Sequence, residues 1–357
     1  MIGIIGATGD IGSECTKILN GYGIKDIKLG YRRKEKVYKS KNTFAFIDLD
    51  DINTCIEFVD GCDCIINCSG YSDSSIFNLI DTVNKNKCIL IDLSYYNFYE
   101  KSVFEGGTIY HGVGSSPGLI EALPVIISRV FDKTLSFQMY YASNGEFTYN
   151  AAKEYLRYLS EDGFYARSIL NSGKIEPYLA GDKTITLPIS SERWVPFPYI
   201  DKRTLKVCRQ IGVENAIFYM CIKNGYVCNF LKNIRSDNIE NINVMAQKLV
   251  DLSNLDNIEK KEFGGFILEA TGIKNKNTID ANMILKSISP TRLTALTVAA
   301  VSILALEHGN KTEIKDMSEF PLLNSLLDKM MEMDTTFYYK LMKGTNLKLN
   351  NIFEGEI

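Results

Sequence analysis

The residues whose types and spacing could do chemistry begin six positions into the chain. Gly6-Ala7-Thr8-Gly9-Asp10-Ile11-Gly12 directly follows the apolar run Ile2 to Ile5 and opens a helical run to about Leu19. Glycines so placed allow a tight turn, let backbone N–H groups approach a pyrophosphate, and let the helix pack closely on the strand. The helix N-terminus then faces the phosphates, because its first N–H groups have no partner within the helix. Strand before, helix after and a second strand about twenty residues on are the context of a dinucleotide-binding turn. Gly6, Thr8, Gly9, Asp10, Ile11 and Gly12 are its candidate contacts, and the bland alternative is a tight turn that holds nothing.

The end of the second strand selects the nucleotide. An NAD site usually has Asp or Glu there to accept the ribose hydroxyls. This chain instead reads Leu29-Gly30-Tyr31-Arg32-Arg33-Lys34, with no acid until Glu35. An acid would repel a 2′-phosphate, whereas Arg32 offers it a planar bidentate fork, with Arg33 or Lys34 as a second cation. NADP(H) is therefore the expected cofactor, against the alternative of a solvated basic loop. Ligands of open α/β sheets lie beyond the carboxyl ends of the strands, so Asn67-Cys68-Ser69-Gly70 and Asp92-Leu93-Ser94-Tyr95-Tyr96 complete the cleft. Ser69 and Gly70 would lie along the cofactor, Gly70 permitting close backbone approach. His111, at the end of a sixth strand, is a candidate acid or base. Tyr149-Asn150-Ala151-Ala152-Lys153 matches the Tyr-x-x-x-Lys pair of short-chain dehydrogenases, in which Lys lowers the Tyr pKa. Here it comes after too many strands, and the first turns of a second-domain helix account for it. Arg157, Arg167, Arg193 and Arg203 are candidates to clamp a substrate carboxylate.

The elements that must position these groups read as an α/β chain. Short apolar runs at Ile2 to Ile5, Ile27 to Leu29, Phe44 to Ile47, Cys64 to Asn67, Cys88 to Ile91 and Ile109 to Val113 alternate with helical text. That rhythm predicts a Rossmann-type, doubly wound parallel sheet whose strands are buried on both faces. After Gly118 a helix is expected over Ile120 to Phe131. Runs richer in Tyr and Phe follow at Ser136 to Ala142, Thr184 to Pro188, Ala216 to Lys223 and Phe263 to Thr271. Turns such as Ser143-Asn144-Gly145 and Lys223-Asn224-Gly225 suggest a mixed or antiparallel sheet, hence a second α+β domain facing the substrate. The expected division is 1–120 with about 285–357 for the nucleotide domain, and 121–284 for the substrate and dimerisation domain. Trp194-Val195-Pro196-Phe197-Pro198 reads as a lid or subunit contact, neither helix nor central strand.

Composition sets the class. With 40 Lys plus Arg against 43 Asp plus Glu, the formal charge of −3 argues against nucleic acid as partner. The stretch Leu293 to Leu306 is too short and too polar for a membrane span and reads as a buried helix. Nine cysteines set in apolar strand text indicate a reducing compartment. Cys62-x-Cys64 has no second Cys/His pair near it, so no metal is expected. Met1 leads into apolar text without a basic leader, so a cytoplasmic location is expected.

GATGDIG, the GYRRKEK after the second strand, DCIINCSG, LIDLSYYN and GVGSSPGLIEALP at 112–124 resemble, in order and spacing, the NADP-binding domain of the saccharopine dehydrogenase (glutamate-forming) family. SerAsnGlyGluPheThrTyrAsnAlaAla at 143–152 and the ThrAlaLeuThrValAlaAla helix resemble that family's second domain and returning helix. The resemblance implies pyridine-nucleotide oxidoreduction, in the best-known members reduction of an imine between an amino acid and an aldehyde. By position it implies that Gly6, Gly9, Gly12 and Arg32 hold NADP. Ser94 and Tyr95 would sit beside the nicotinamide, and Gly114 to Gly118, Ser115 among them, would form the loop under the reacting centre. Where that family typically has Asp before Pro-Gly and an Asp-His pair shortly after, this chain has Ser116 and Glu121-Ala122. The departure implies a substrate other than saccharopine. The expected function is an NADP-dependent reductase or dehydrogenase acting at a C=N or C=O carbon of a small amino-acid-derived substrate, with a homodimer formed through the second domain. The alternatives are an NmrA-like NADP(H)-sensing regulator and a short-chain-dehydrogenase-like carbonyl reductase using Tyr149 and Lys153.

Overall fold

In the computed structural model, which describes residues 1–33, 41–70, 75–95, 106–160, 162–178, 184–234, 241–258 and 262–344, the apolar runs near the N-terminus become parallel strands. In order come Ile2–Ile5 (β1), Asp10–Tyr22 (α1), Ile27–Tyr31 (β2), Thr43–Phe46 (β3), Ile52–Val59 (α2), Cys64–Asn67 (β4), Ser75–Asn86 (α3), Ile89–Asp92 (β5) and Thr108–His111 (β6). β1, β4, β5 and β6 are buried along their whole length, as strands covered on both faces must be. α1 stops at Gly23, whose φ of 102° lets its N–H fold back onto the carbonyls of Asn20 and Leu19. α2 begins where the Asp51 side chain accepts the Asn53 N–H. Ile120–Ser128 (α4) follows the turn Ser115–Leu119.

The middle of the chain supplies Lys133–Asn144 (β7), Tyr149–Leu159 (α5), Tyr165–Ala166 (β8), Ser168–Asn171 (β9), Lys174–Pro177 (β10), Ile185–Leu187 (β11), Ser190–Ile200 (β12), Lys202–Ile211 (α6), Asn215–Lys223 (β13), Tyr226–Lys232 (α7), Ile242–Asn257 (α8), Phe263–Lys274 (β14) and Asn277–Ser287 (β15). Pro290–His308 (α9), Ile314–Asp316 (β16), Leu323–Met333 (α10) and Tyr338–Lys343 (β17) complete the described chain. Two compact units result: Met1–Ala122 with Thr291–Thr336, and Leu123–Pro290 with the chain from Phe337 onward.

Among the described residues, the first unit's sheet has seven strands in the order β16-β6-β5-β4-β1-β2-β3, every pair parallel. β1 to β3 wind one way and β4 to β6 the other, so the direction reverses between β1 and β4. The second unit's sheet is mixed: β7 pairs parallel with β13 and antiparallel with β14, which pairs with β15 and through it β17. A doubly wound α/β unit with a mixed-sheet second unit is therefore the architecture.

Three sequence expectations need correction. The sequence assigns 338–343 to the nucleotide domain, whereas Tyr338–Lys343 pairs with β15 in the second sheet, register Met283↔Leu341. The Asn-Gly turns do not close hairpins: Ser143-Asn144-Gly145 leads from β7 into α5 and Lys223-Asn224-Gly225 from β13 into α7. Two-residue hairpins occur instead at β9–β10 and β14–β15, where Ser172 and Gly173, and Asn275 and Lys276, all take positive φ, matching the twist of such a turn. Finally, the Trp194 to Pro198 segment is no lid but part of β12, paired antiparallel with β13 from Trp194↔Lys223 to Tyr199↔Phe218. Its prolines are tolerated because, among the described residues, β11 pairs only up to Trp194 and β8 only from Tyr199, so no N–H is required of Pro196 or Pro198 on that side, where the Pro198 carbonyl instead accepts the Arg167 N–H at 2.8 Å.

Candidate active site

The glycine turn meets the requirements of a close helix–strand junction. Gly6 has φ of 73°, a left-handed conformation, and a Cβ there would come 2.9 Å from the Cys68 carbonyl carbon on β4's side. A Cβ on Gly12 would overlap the Gly6 oxygen and lie 2.8 Å from its carbonyl carbon. Gly9 donates its N–H to Gly6 O at 3.0 Å and stands at the N-cap of α1, where it has no side chain to cap the helix. The first-turn N–H groups of Asp10, Ile11 and Gly12 thus lack a side-chain cap, the condition under which an anion replaces one. These residues fit the pyrophosphate of a dinucleotide, which the backbone alone would hold.

The other strand ends gather along the same edge of the sheet. Arg32 and Arg33 follow β2 and are both exposed; Lys34 and Tyr96 lie outside the described residues. Asn67, fully buried at the end of β4, turns the chain: its Oδ1 accepts the Ser69 N–H at 3.2 Å and the Ser69 hydroxyl at 2.7 Å. A Cβ on Gly70 would meet nothing within 4 Å among the described residues, so no packing demand puts glycine there. Asp92 does at β5 what Asn67 does at β4, accepting the Ser94 N–H at 3.0 Å. Ser94 O in turn accepts the Gly112 N–H at 2.8 Å.

Ser94 and Tyr95 are half-buried, and the Tyr95 ring lies 5.0 Å from the ring of buried His111, tilted by 50°. Gly112, with φ of 63°, ends β6 and makes room for Tyr95, since a Cβ there would come 2.9 Å from its Cδ2. Beyond it Leu119 N–H bonds to Gly114 O at 2.9 Å, and Glu121, buried, accepts the Gly118 N–H at 2.5 Å. Glu121, noted in the sequence only as a departure, is therefore a clasp of the 114–118 loop. Ser115 is buried, with its hydroxyl 2.8 Å from that of Thr294 on α9. Sequence reasoning missed Thr294. The available signal was that hydroxyls are costly in so apolar a helix: Thr297 and Ser302 bond back to Leu293 O and Ala299 O, while Thr294 bonds outside α9.

Other candidates fall elsewhere. Tyr149 and Lys153 lie on α5 in the second unit, outside the parallel sheet, and the Tyr149 hydroxyl donates to Asn243 Oδ1 at 3.0 Å. Arg203 is committed to buried Asp201: its NH2 lies 3.2 Å from Oδ2, and its guanidinium stacks 4.8 Å from the Tyr158 ring. Asp201 also caps α6 and takes the Tyr158 hydroxyl. Burial works against its charge, but Arg203, Tyr158 and Thr204 together hold its pKa below the ordinary carboxylate value. Arg157 pairs with Glu154 on the surface, and Arg167 and Arg193 are exposed. The thiol of Cys68, beside the turn, is pushed well up by burial, which makes it a poor nucleophile. The second unit has its own cleft of about 700 Å³, lined by Ile189, Glu192, Glu262, Phe263 and Lys286 among others.

No protein-family profile matches the sequence, and no curated protein matches it. Solved structures do. Apo saccharopine dehydrogenase (L-Glu forming) from Saccharomyces cerevisiae superposes with a TM-score of 0.71 at 12% identity, covering 96% of this chain and 99% of that one. An engineered D-amino acid dehydrogenase covers 90% of this chain and 95% of that one at 14% identity, with a TM-score of only 0.47. Agreement of both units with one solved chain at such low identity speaks to architecture, and the chain has the saccharopine dehydrogenase fold.

Proposed function

We propose that this chain is an NADP-dependent oxidoreductase that transfers hydride at a C=N or C=O carbon of a small amino-acid-derived substrate. The observation that carries the reading is the juxtaposition, at the carboxyl edge of one parallel sheet, of an uncapped α1 N-terminus, two exposed arginines after β2, and the Ser94–Tyr95–His111 cluster after β5 and β6. The direction of winding reverses there, which is where open α/β sheets bind dinucleotides. The likeness to a dehydrogenase over both units supports oxidoreduction as the class.

In this reading Gly6, Thr8 and Gly9 to Gly12 hold the pyrophosphate, and Arg32 with Arg33 holds the 2′-phosphate. Ser69 and Gly70 lie along the ribose. The bound nicotinamide supplies or accepts the hydride. The chain's own task is positioning and proton management. Tyr95 is the proposed proton donor, its ring held by Gly112 and His111. Glu121 keeps the Gly114 to Gly118 loop closed beneath the site through the Gly118 N–H.

The test is a titration of the purified protein with NADPH, NADP⁺ and NADH, followed by nucleotide fluorescence or heat. Tight NADPH with weak NADH is the expected result, followed by NADPH oxidation in a screen of amine and carbonyl pairs. Binding of NADP⁺ alone without turnover would turn the reading into nucleotide sensing, and no binding would remove the dinucleotide site.

A further inference from the structure

The first five residues of α9 reach the nucleotide cleft by two separate contacts, neither of which belongs to the glycine motif. Arg292 donates from NH1 to Glu14 on α1 and from Nε to buried Asp334, after α10, at 2.6 Å. Two residues on, Thr294 meets Ser115 of the loop after β6, hydroxyl to hydroxyl at 2.8 Å. The fit at that contact is tight, since a Cβ on Gly114 would come 3.2 Å from Thr294 Cγ2. Glu14 lies in the second turn of α1, so a hold on Glu14 is a hold on the N–H groups aimed at the pyrophosphate. α9 itself is buried from Leu293 to Ala305 apart from Thr294, and this makes it a rigid anchor.

We infer that Arg292 and Thr294 are positioning residues that tie the two walls of the nucleotide cleft, α1 and the Gly114–Gly118 loop, to a single helical turn. The inference rests on the dinucleotide reading for its ligand, but the tie is a property of the free protein. A preorganised anion site costs less to complete than one that must be ordered on binding. The chain thereby commits its C-terminal segment to a site whose contacts all come from the first 120 residues.

Amide hydrogen exchange on the nucleotide-free protein tests the tie, and NADPH titration tests its purpose. Thr294→Val keeps the shape and removes the hydroxyl; Thr294→Ser keeps the hydroxyl. The expected result is roughly tenfold faster exchange at Leu119 and Ile120 in Thr294→Val, with β1, β4 and β5 unchanged, and recovery in Thr294→Ser. Arg292→Lys, which loses the two-pronged donor, should speed exchange in the first turns of α1 by a similar factor. Each of Thr294→Val and Arg292→Lys should weaken NADPH about tenfold. Unchanged exchange in both segments, or an equal rise throughout the strands of the first unit, would overturn the positioning role. Localised exchange together with unchanged NADPH affinity would overturn it as well. Failure of the unaltered protein to bind any nucleotide would instead overturn the dinucleotide reading, and the exchange pattern separates the two failures.

Discussion

At Arg32 the proposed preference between two nucleotides comes down to one guanidinium. It follows β2 with no acid beside it in sequence, and it is exposed and, among the described residues, pairs with no carboxylate, unlike Arg203, whose fork is taken by Asp201. Arg32→Ala should weaken NADPH by about 10- to 100-fold, the worth of a charge-assisted bond to phosphate, and leave NADH within about threefold. Equal losses for both nucleotides, measured in one titration series, would place Arg32 away from the phosphate. The proposal for Arg32 can be made from the sequence alone, because an Arg-for-Asp exchange at a strand end changes which anion is tolerated whatever surrounds it. Those for Thr294 and Glu121 cannot, because each acts through a partner brought to it by the fold.

At the scale of elements, the cleft depends on helices being held to one another by charges largely removed from water. Asp334 is 3% exposed, and burial alone would raise its pKa; Arg292 and Thr336 outweigh burial and hold the pKa below the ordinary value. Glu14 follows the same pattern, with burial opposed by Lys17 and Arg292. A carboxylate whose folded pKa is depressed contributes stability that is full above its unfolded pKa, about 4, and is lost as pH falls through the folded value. The thermal midpoint should therefore fall below about pH 4. Asp334→Asn should lower the midpoint at neutral pH and flatten that acid slope, measured by circular dichroism melts across pH 2–7 and set against the unaltered protein. A slope unaffected by the substitution would mean that other carboxylates govern the acid limb. Partial burial and screening of Arg292 and Glu14 keep the expected effect modest.

For the molecule as a whole, two sheets of different kind divide the work. The parallel sheet reverses its winding between β1 and β4, and its carboxyl edge is where the dinucleotide is proposed to bind. The mixed sheet carries the aromatic core in which the chain's one tryptophan, Trp194, is fully buried against Phe263, ring centroids 5.3 Å apart and nearly perpendicular. Trp194→Ala should cost about 3–5 kcal/mol of stability through the cavity it leaves. Urea unfolding followed by circular dichroism would measure this, and a cost below about 1 kcal/mol would mean that the site collapses around the loss. In the unaltered protein, tryptophan emission reports unfolding of the second unit specifically.

The sequence by itself determined the parallel sheet, its glycine turn and the polar residues at its strand ends. Those signals are local: an apolar run, a glycine that φ or close approach demands, and a charge at a fixed offset from a strand. Six strands of the first sheet fall within a residue or two of where periodicity put them, the short edge strand β16 being the one it did not foresee, and β6 stops at His111 because Gly112 turns left-handed. Only the tertiary structure decided that Trp194 to Pro198 is strand and that Tyr338–Lys343 pairs with β15. It alone decided that the start of α9 grips both α1 and the loop after β6. The physical reason is the same in each case. A proline is tolerated in a strand only according to which side carries a neighbour, and a short strand is stabilised by its partner more than by its own residues. A hydroxyl or guanidinium on a buried helix acquires its role from whatever the fold sets opposite it, at a separation in sequence of 179 residues for Ser115 and Thr294 and 278 for Glu14 and Arg292.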